Sequence, residues 1–368
     1  MKLLVAGYNT RHIVCSAKRA GYTVYALDHF GDIDLRMCAD GVVTFDSIAS
    51  SRELMQHVQE FGFDALVLGP GFENFRSPCV TLNNSPEIMD SVTDKAWLAE
   101  KLRKLGMRHP DTHIVCEDYV PEFPVMVKPR RGSGGIKNRL ITCEAALSEF
   151  VSTHCDDEYI AQEFVHGIPG SVALICTGDE AQAIAVNEQL VGVPWLTHLP
   201  FAYCGNVTPL ATPFGDEMMR LAEELACELG LVGSNGVDFM ITDDGPVVIE
   251  VNPRFQGSID TVERSTGMNV FDMHVKAFAG ALPVQARHAR FSAKALVFPH
   301  GMLSVDAGMS EGLLSMLDKG LAADIPSEGQ RIVPGDPVVT LLAEGQSRDE
   351  AMGKVKRCSS HVLRLCKF

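Results

Sequence analysis

The 368-residue chain is short of basic residues: 32 Lys and Arg stand against 47 Asp and Glu, a formal net charge of −15. Gripping a nucleic-acid backbone takes clustered cations, so no nucleic-acid partner is expected, although a nucleotide in a local basic pocket remains compatible. The sequence lacks any apolar run of the ~20 residues that a membrane helix needs, and the first apolar stretch, residues 3–6, is too short for a secretion signal. No membrane partner and a cytoplasmic location are therefore expected. The eleven cysteines are odd in number and scattered, with no C-x-x-C pair. They read as reduced thiols rather than a disulfide framework. Internal repeats and low-complexity segments are absent as well. The first strand leads into Gly7-Tyr8-Asn9-Thr10-Arg11, not G-x-G-x-x-G, which argues against dinucleotide binding there. What is present is ordinary globular material, 46% hydrophobic and 21% charged, long enough for two or three domains with a sizeable core.

Residues 1–90 read as a small α/β domain. Strands over 2–6, 23–27 and 65–68, with a helix over 11–20, imply a parallel sheet. Asp28 follows the second strand, where it either caps the strand end or holds a substrate hydroxyl or amine. The next unit opens on Asn84-Ser85-Pro86-Glu87, a helix-start signature. A second helix begins at Thr93-Asp94-Lys95 and ends near Gly106. Lys95 is either an exposed helix lysine or the partner of an anion held at the helix start.

Residues 124–129 form a strand with Lys128 near its end. Arg130-Arg131-Gly132-Ser133-Gly134-Gly135 follows, then a strand over 136–142. Glycines lacking a Cβ let backbone N–H groups approach phosphates closely. Lys128, Arg130, Arg131 and Lys137 surround this tip with positive charge. A strand–loop–strand differs from a Walker loop, which feeds a helix. The strand over 159–165 ends where its free backbone groups can meet an adenine edge. Strands over 171–176 and 181–186 continue the sheet, and Asn187, Gln189, Tyr203 and Asn206 are polar groups in an otherwise apolar stretch, hence candidates for a substrate pocket. A helix over 218–229 is closed by Gly230.

The most informative stretch is V-V-I-E-V-N-P-R, residues 247–254. Three β-branched residues read as a buried strand. Glu250 and Asn252 share strand parity and so share a face, and Pro253 ends the ladder. Asp243-Asp244-Gly245 turns this strand back on residues 236–241, which brings Asp238 beside Glu250. Hard oxygen ligands of this kind suit Mg²⁺, which binds few protein groups together with phosphate oxygens. Arg254 shares the parity of Glu250 and Asn252. A helix over 269–279 follows. Residues 283–368, with strands over 293–297 and 338–342 and a last helix over 348–365, carry no evident chemistry and read as a covering or dimerising domain; a homodimer is expected.

Taken in order, Lys95, V-K-P-x-x-G-S-G-G, Q-E-F-V-x-G and D-F-M near I-E-V-N-P-R resemble the ATP-grasp superfamily, closest to predicted ATP-dependent carboligases related to biotin carboxylase and carbamoyl-phosphate synthetase. The resemblance implies an α/β and α+β protein: an ATP-grasp fold with a Rossmann-like N-terminal domain at 1–90, an ATP-grasp domain at 91–282 (lid subdomain about 91–165, large subdomain about 166–282) and a small C-terminal domain at 283–368. It implies that Lys95 and Lys128 contact ATP phosphates, and that Gly132, Ser133, Gly134 and Gly135 form the lid. Glu163, Phe164 and Val165 would lie at the adenine hinge, Asp238, Glu250 and Asn252 would bind Mg²⁺ or Mn²⁺, and Arg254, with Lys128, would act on the transferring phosphoryl group and intermediate. The implied function is a carboxylate–amine ligase working through an acyl phosphate on a small-molecule acid and amine, with release of ADP and phosphate. Glutamate addition in cofactor biosynthesis, such as tyramine–glutamate ligation, is one expectation. The alternative is a biotin-carboxylase-like or purine-pathway carboxylase or ligase. Two departures from the family pattern stand out. Gly167-Ile168-Pro169-Gly170 lies where many relatives carry an acidic ribose contact, and Ser258 replaces a glutamate that acts on bicarbonate in biotin carboxylase.

Overall fold

The computed structural model describes residues 1–47, 53, 56, 58, 61–73, 75–115, 121–154, 158–284 and 287–367. Strand β1 (Lys2–Gly7) buries five of its six residues, and β2 (Thr23–Asp28), β3 (Gly41–Thr44) and β4 (Ala65–Leu68) join it in the order β3-β2-β1-β4. Every pairing is parallel, so β1 and β4 are apolar runs covered on both faces. Helix α1 (Arg11–Arg19) connects β1 to β2, and the six-residue α2 (Ile33–Cys38) connects β2 to β3. Asp28 accepts hydrogen bonds from the N–H groups of Thr10, Phe30 and Gly31 and from the Thr10 hydroxyl. Of the two readings offered for Asp28, the strand-end cap is the one seen.

Helices α3 (Pro86–Val92) and α4 (Lys95–Leu105) lead into the lid. Ser85 caps α3 by accepting from Ile88 N, and Asp94 caps α4 by accepting from Ala96 N and Trp97 N. Gly106 closes α4 at φ 68°, a conformation glycine adopts without steric cost. Strands β5 (Thr112–Ile114), β6 (Val125–Pro129), β7 (Arg139–Ile141) and β8 (Tyr159–Glu163) form an antiparallel sheet ordered β5-β8-β6-β7, covered by α5 (Glu144–Thr153).

The largest sheet carries β9 (Ile168–Thr177), β10 (Ala181–Val191), β11 (Tyr203–Thr208), β12 (Val232–Thr242) and β13 (Gly245–Asn252). Helix α6 (Gly215–Glu228) packs Met218, Ala222, Leu225 and Ala226 on one face, against Val172, Leu174, Val237 and Phe239. Helices α7 (Ile259–Thr266) and α8 (Val270–Ala277) meet the other face through Phe255, Phe271 and Ile175, and α1 of the first domain shares that core. The remaining residues contribute β14 (Phe291–Val297), β15 (Leu303–Ser304), α9 (Ala307–Asp318), β16 (Ala322–Ala323), β17 (Arg331–Ile332), β18 (Val339–Gly345) and α10 (Arg348–Leu365). β14 pairs with β11, so residues 283–368 extend the same eight-stranded sheet, ordered β13-β12-β9-β10-β11-β14-β18-β16. β15 and β17 form a separate two-stranded ribbon.

A buried ion network ties the three parts together. Arg11 at the start of α1 bonds both oxygens of Asp260 on α7 at 2.7 and 3.0 Å, and both oxygens of Asp324 after β16 at 2.9 and 3.0 Å. Lys294 on β14 donates to Asp260 at 2.9 Å and to the carbonyl of Gly257 at 3.0 Å. Burial alone would push Asp260 and Asp324 up, but Arg11 and Lys294 outweigh it and hold both below the usual carboxylate range. Removing the shared cation leaves two buried carboxylates short of a partner. Arg11→Met is therefore expected to cost about 3–5 kcal/mol, read as a lowered denaturation midpoint in urea; an unchanged midpoint would show that the network contributes nothing to stability.

Candidate active site

The hairpin of β12 and β13 sets the register of the site. Asp238 sits directly opposite Glu250, and Gly236 opposite Asn252. The next pair is Phe239 with Val248, which leaves Ile249 as an extra residue in β13. Such a bulge re-aims neighbouring side chains, and Ile249 and Glu250 both reach the same cavity. This cavity, about 550 Å³, lies between the lid sheet and the large sheet. Asp238, Glu250, Asn252 and Arg254 stand on its large-sheet side, with Lys128, Ser133, Gly134 and Gly135 on its lid side.

Asn252 donates its amide nitrogen to Asp238 Oδ2 at 3.1 Å, which leaves the amide oxygen as the ligand atom on offer. Asp238 Oδ1 is buried with no well-formed hydrogen bond among the described residues, although Gln189 is near enough to favour the charged carboxylate. Burial first, and the neighbouring Glu250 second, push the Asp238 carboxyl up to about 7. Two acids thus face each other across a strand pair, one of them held partly neutral. Among the described residues no group of three or more His, Cys, Asp or Glu is arranged to hold a metal. The donor set thus suits a hard cation whose other ligands are phosphate oxygens or water.

Lys128 is buried near the end of β6, and burial lowers its ammonium to about 8 despite the opposing pull of Glu250. Lys95 is buried at the start of α4, which removes the exposed-helix reading: its Nζ donates to the carbonyl of Gly132 at 2.6 Å and lies 3.6 Å from Glu250 Oε2. Gly132 itself is not on the cavity wall. The glycine loop is docked, with Tyr203 N donating to Gly134 O at 3.1 Å. Gly135 has φ 72°, and a Cβ there would fall 2.0 Å from the Phe201 carbonyl, so this contact requires glycine. The four cations expected around the tip divide between two places. Arg130 is spent on Asp94 (2.7 and 2.8 Å) and Glu158, Arg131 on the Asp90 carbonyl and Asp94, and Lys137 faces a different hollow; Lys128 alone of the four lines the cavity.

At the other end, Glu163, Phe164 and Val165 line the cavity where β8 stops. Met126, Phe164, Met240 and Ile249 make an apolar slot there. Gln189 and Tyr203 also line the cavity, whereas Asn187 and Asn206 do not. Both are fully buried behind it: Asn206 accepts from the Tyr203 hydroxyl at 3.0 Å and donates to Thr261 and Thr208, and Asn187 accepts from Thr208. Polar residues in an apolar run signal burial with partners as readily as they signal a pocket.

Several residues of the site escaped the sequence reading. Glu73 pairs with the Arg254 guanidinium, whose NH1 also donates to Phe255 O. It follows the carboxyl end of a parallel strand, the edge where α/β sheets gather ligands, and that was its only signal. Gln256 lies so close to Gly236 that a Cβ there would fall 1.6 Å from its amide nitrogen. Met126 and Met240 carry no signal that separates them from core residues.

Residues 92–258 match the family model described as an ATP-grasp domain. The chain is 24% identical to an uncharacterized protein of Methanocaldococcus jannaschii, over 99% of this chain and 94% of that one. It is 26% identical to 3-methyl-D-ornithine–L-lysine ligase of Methanosarcina barkeri, over 93% and 91%. Among solved structures, N5-carboxyaminoimidazole synthase from Aspergillus clavatus, in complex with ADP and 5-aminoimidazole ribonucleotide, superposes with a TM-score of 0.77 over 98% of both chains at 17% identity, a likeness of fold. The docked glycine loop, the paired acids on the facing hairpin and the match over 92–258 lead to one conclusion: this chain carries an ATP-grasp domain and is an ATP-grasp enzyme.

Proposed function

We propose that the enzyme is an ATP-dependent carboxylate–amine ligase that joins a small-molecule acid to an amine. The observation that carries this reading is the convergence of Asp238, Glu250, Asn252, Arg254 and Lys128 on one cavity. Phosphoryl transfer calls for alignment and charge neutralisation more than for a protein nucleophile. In this reading the adenine lies in the apolar slot beside Glu163, Phe164 and Val165. Lys128 and Lys95 face the phosphates, and Ser133, Gly134 and Gly135 cover them. Asp238, Glu250 and the Asn252 amide oxygen are the groups that would hold Mg²⁺, which supplies Lewis-acid neutralisation of the phosphates when bound.

A carboxylate oxygen of the acid takes the γ-phosphoryl group, giving an acyl phosphate and ADP. The amine nitrogen then attacks the acyl carbon, phosphate leaves, and the nitrogen loses a proton. Arg254 stabilises charge on the carboxylate and on the acyl phosphate. The docked loop excludes water, which would otherwise hydrolyse that intermediate. Gln189, Tyr203 and Gln256 are the cavity's polar contacts for the acid. The full-length similarity to 3-methyl-D-ornithine–L-lysine ligase supports an amino-acid-like acid, of which glutamate is one candidate. Ser258, in place of a bicarbonate-directed glutamate, disfavours the carboxylase reading.

Glu250→Gln is expected to lower phosphate release by at least about 10²-fold while leaving the far-ultraviolet dichroism intact; a screen of amino acids and amines with Mg-ATP supplies the assay, and undiminished turnover would remove Glu250 from the site. A second expectation concerns pH. With Asp238 titrating at about 7, a proton competes with the cation below that value. Mg²⁺ affinity should therefore fall as pH drops from 8 to 6 and level off above 8. The same raised carboxyl makes the Mg²⁺-free protein less stable as pH climbs from the ordinary carboxylate range through 7, because the folded state holds a proton there that the unfolded state has lost. Titration calorimetry at three pH values checks the affinity; an invariant affinity would contradict the assignment of Asp238.

A further inference from the structure

A second cavity, about 450 Å³, opens at the carboxyl edge of the first sheet. One wall comes from the segments after β1, β2 and β3, and the other from residues 324–339. Its volume is that of a small-molecule site, and none of the nucleotide-site residues lines it. We propose that this cavity binds a small organic cation, a primary amine or diamine, with its ammonium group against Asp32.

Asp32 is the starting observation. It is 5% exposed and lines the cavity, yet its carboxylate makes no hydrogen bond or ion pair among the described residues. Its oxygens are not among the enclosed polar atoms that lack a partner, so the carboxylate is open to the cavity rather than sealed in the protein. Every other buried acid nearby has a partner: Asp28 holds four donors, Asp34 accepts from the N–H groups of Asp324 and Ile325, and Asp324 holds Arg11. Asp32 therefore stands out as the group left open toward the cavity. Burial, reinforced by Asp324 and Asp28, raises its carboxyl well above the usual range; Arg11 opposes this only in part, its guanidinium being committed to Asp260 and Asp324.

The rest of the lining fixes the sign and type of ligand. Asp336, half-buried, likewise has no hydrogen bond or ion pair among the described residues, and burial raises it too, with His29 of the same lining opposing the rise. Asp46 and Glu328 add negative charge at the rim. The two arginines of the lining, Arg36 and Arg331, are exposed, and Arg36 Nε is committed to the Gly31 carbonyl at 2.8 Å. An anion such as a sugar phosphate would meet Asp32 with no buried cation to offset it. A bare divalent ion is disfavoured by the size of the cavity and by the lack, among the described residues, of any group of three or more His, Cys, Asp or Glu set to hold a metal. An alkylammonium fits both the charge and the volume, and two open acids suit a diamine. The wall is well built: Asp324 sits at φ 56°, unusual for a residue with a Cβ, and is held there by Arg11, Asn9 and Asp34.

This inference stands apart from the nucleotide reading and is tested without nucleotide. Titration calorimetry on the full chain would use 1,4-diaminobutane, ethanolamine and lysine, with inorganic phosphate and ribose 5-phosphate as anionic probes. At least one amine should bind saturably, Asp32→Asn should weaken it tenfold or more, and Glu250→Gln should leave it unchanged. If Asp32→Asn does not fold, as judged by circular dichroism, Asp336→Asn decides: a threefold or greater weakening supports the site, and unchanged binding overturns it. Absence of binding by all three amines, equal binding by folded Asp32→Asn, loss of binding in Glu250→Gln, or preferential binding of either phosphate would each overturn it.

Discussion

Two carboxylates opposite one another on adjacent strands, both turned toward the same cavity, are the constraint on which the site depends. Left alone, Asp238 and Glu250 repel, and the protein answers by raising the Asp238 carboxyl toward neutrality. In the proposed function the same pair would become an asset, because its negative charge would hold a divalent cation that the phosphates also bind. Lys128 on the facing side shows the converse strain: its ammonium is lowered by burial and relieved by Glu250. Each half of the cavity carries charge of one sign, and under the proposed function a magnesium nucleotide is the ligand that would bridge them.

The architecture serves that incompleteness. The hairpin that presents the acids is anchored in an eight-stranded sheet with helices on both faces, while the lid sheet that presents Lys128 is a separate antiparallel layer. The two meet through the glycine loop, which reaches Tyr203 and Phe201 by backbone contacts that a side chain would block. Behind the site, Lys294 grips the Gly257 carbonyl and, with Arg11, Asp260, so the loop carrying Gln256 and Gly257 is fixed by charges from three parts of the chain. Glu73 brings the first domain to Arg254 in the same way. Preorganisation of this kind is what lets a small number of polar groups act without rearrangement at the moment of reaction.

Much of this was legible in the letters, because periodicity and turn chemistry are local. The Asp243-Asp244-Gly245 turn and the parity of Glu250 and Asn252 brought Asp238 and Glu250 opposite one another, and the last helix, 348–365, was read to the residue. What stayed hidden was non-local. The bulge at Ile249 depends on pairing with β12, and nothing in V-V-I-E marks the extra residue. Arg130 and Arg131 were expected to surround the glycine tip with positive charge, but Asp94 pairs with them from another element. Asn187 and Asn206 looked like pocket residues, yet they pair with Thr208 and Thr261 on the covered side of the sheet. Glu73 sits 181 residues from the arginine it binds. In each case a polar side chain's partner, not its type, decided its role.

Under the proposed function the paired acids bind nucleotide only by way of a divalent cation. The most direct measurement is the affinity of ADP for the enzyme with and without Mg²⁺, repeated on Asp238→Asn. The account predicts tight binding in Mg²⁺, weakening of at least tenfold when the ion is chelated, and a much smaller dependence on Mg²⁺ in the variant. An ADP affinity indifferent to Mg²⁺ in the unaltered enzyme would contradict it.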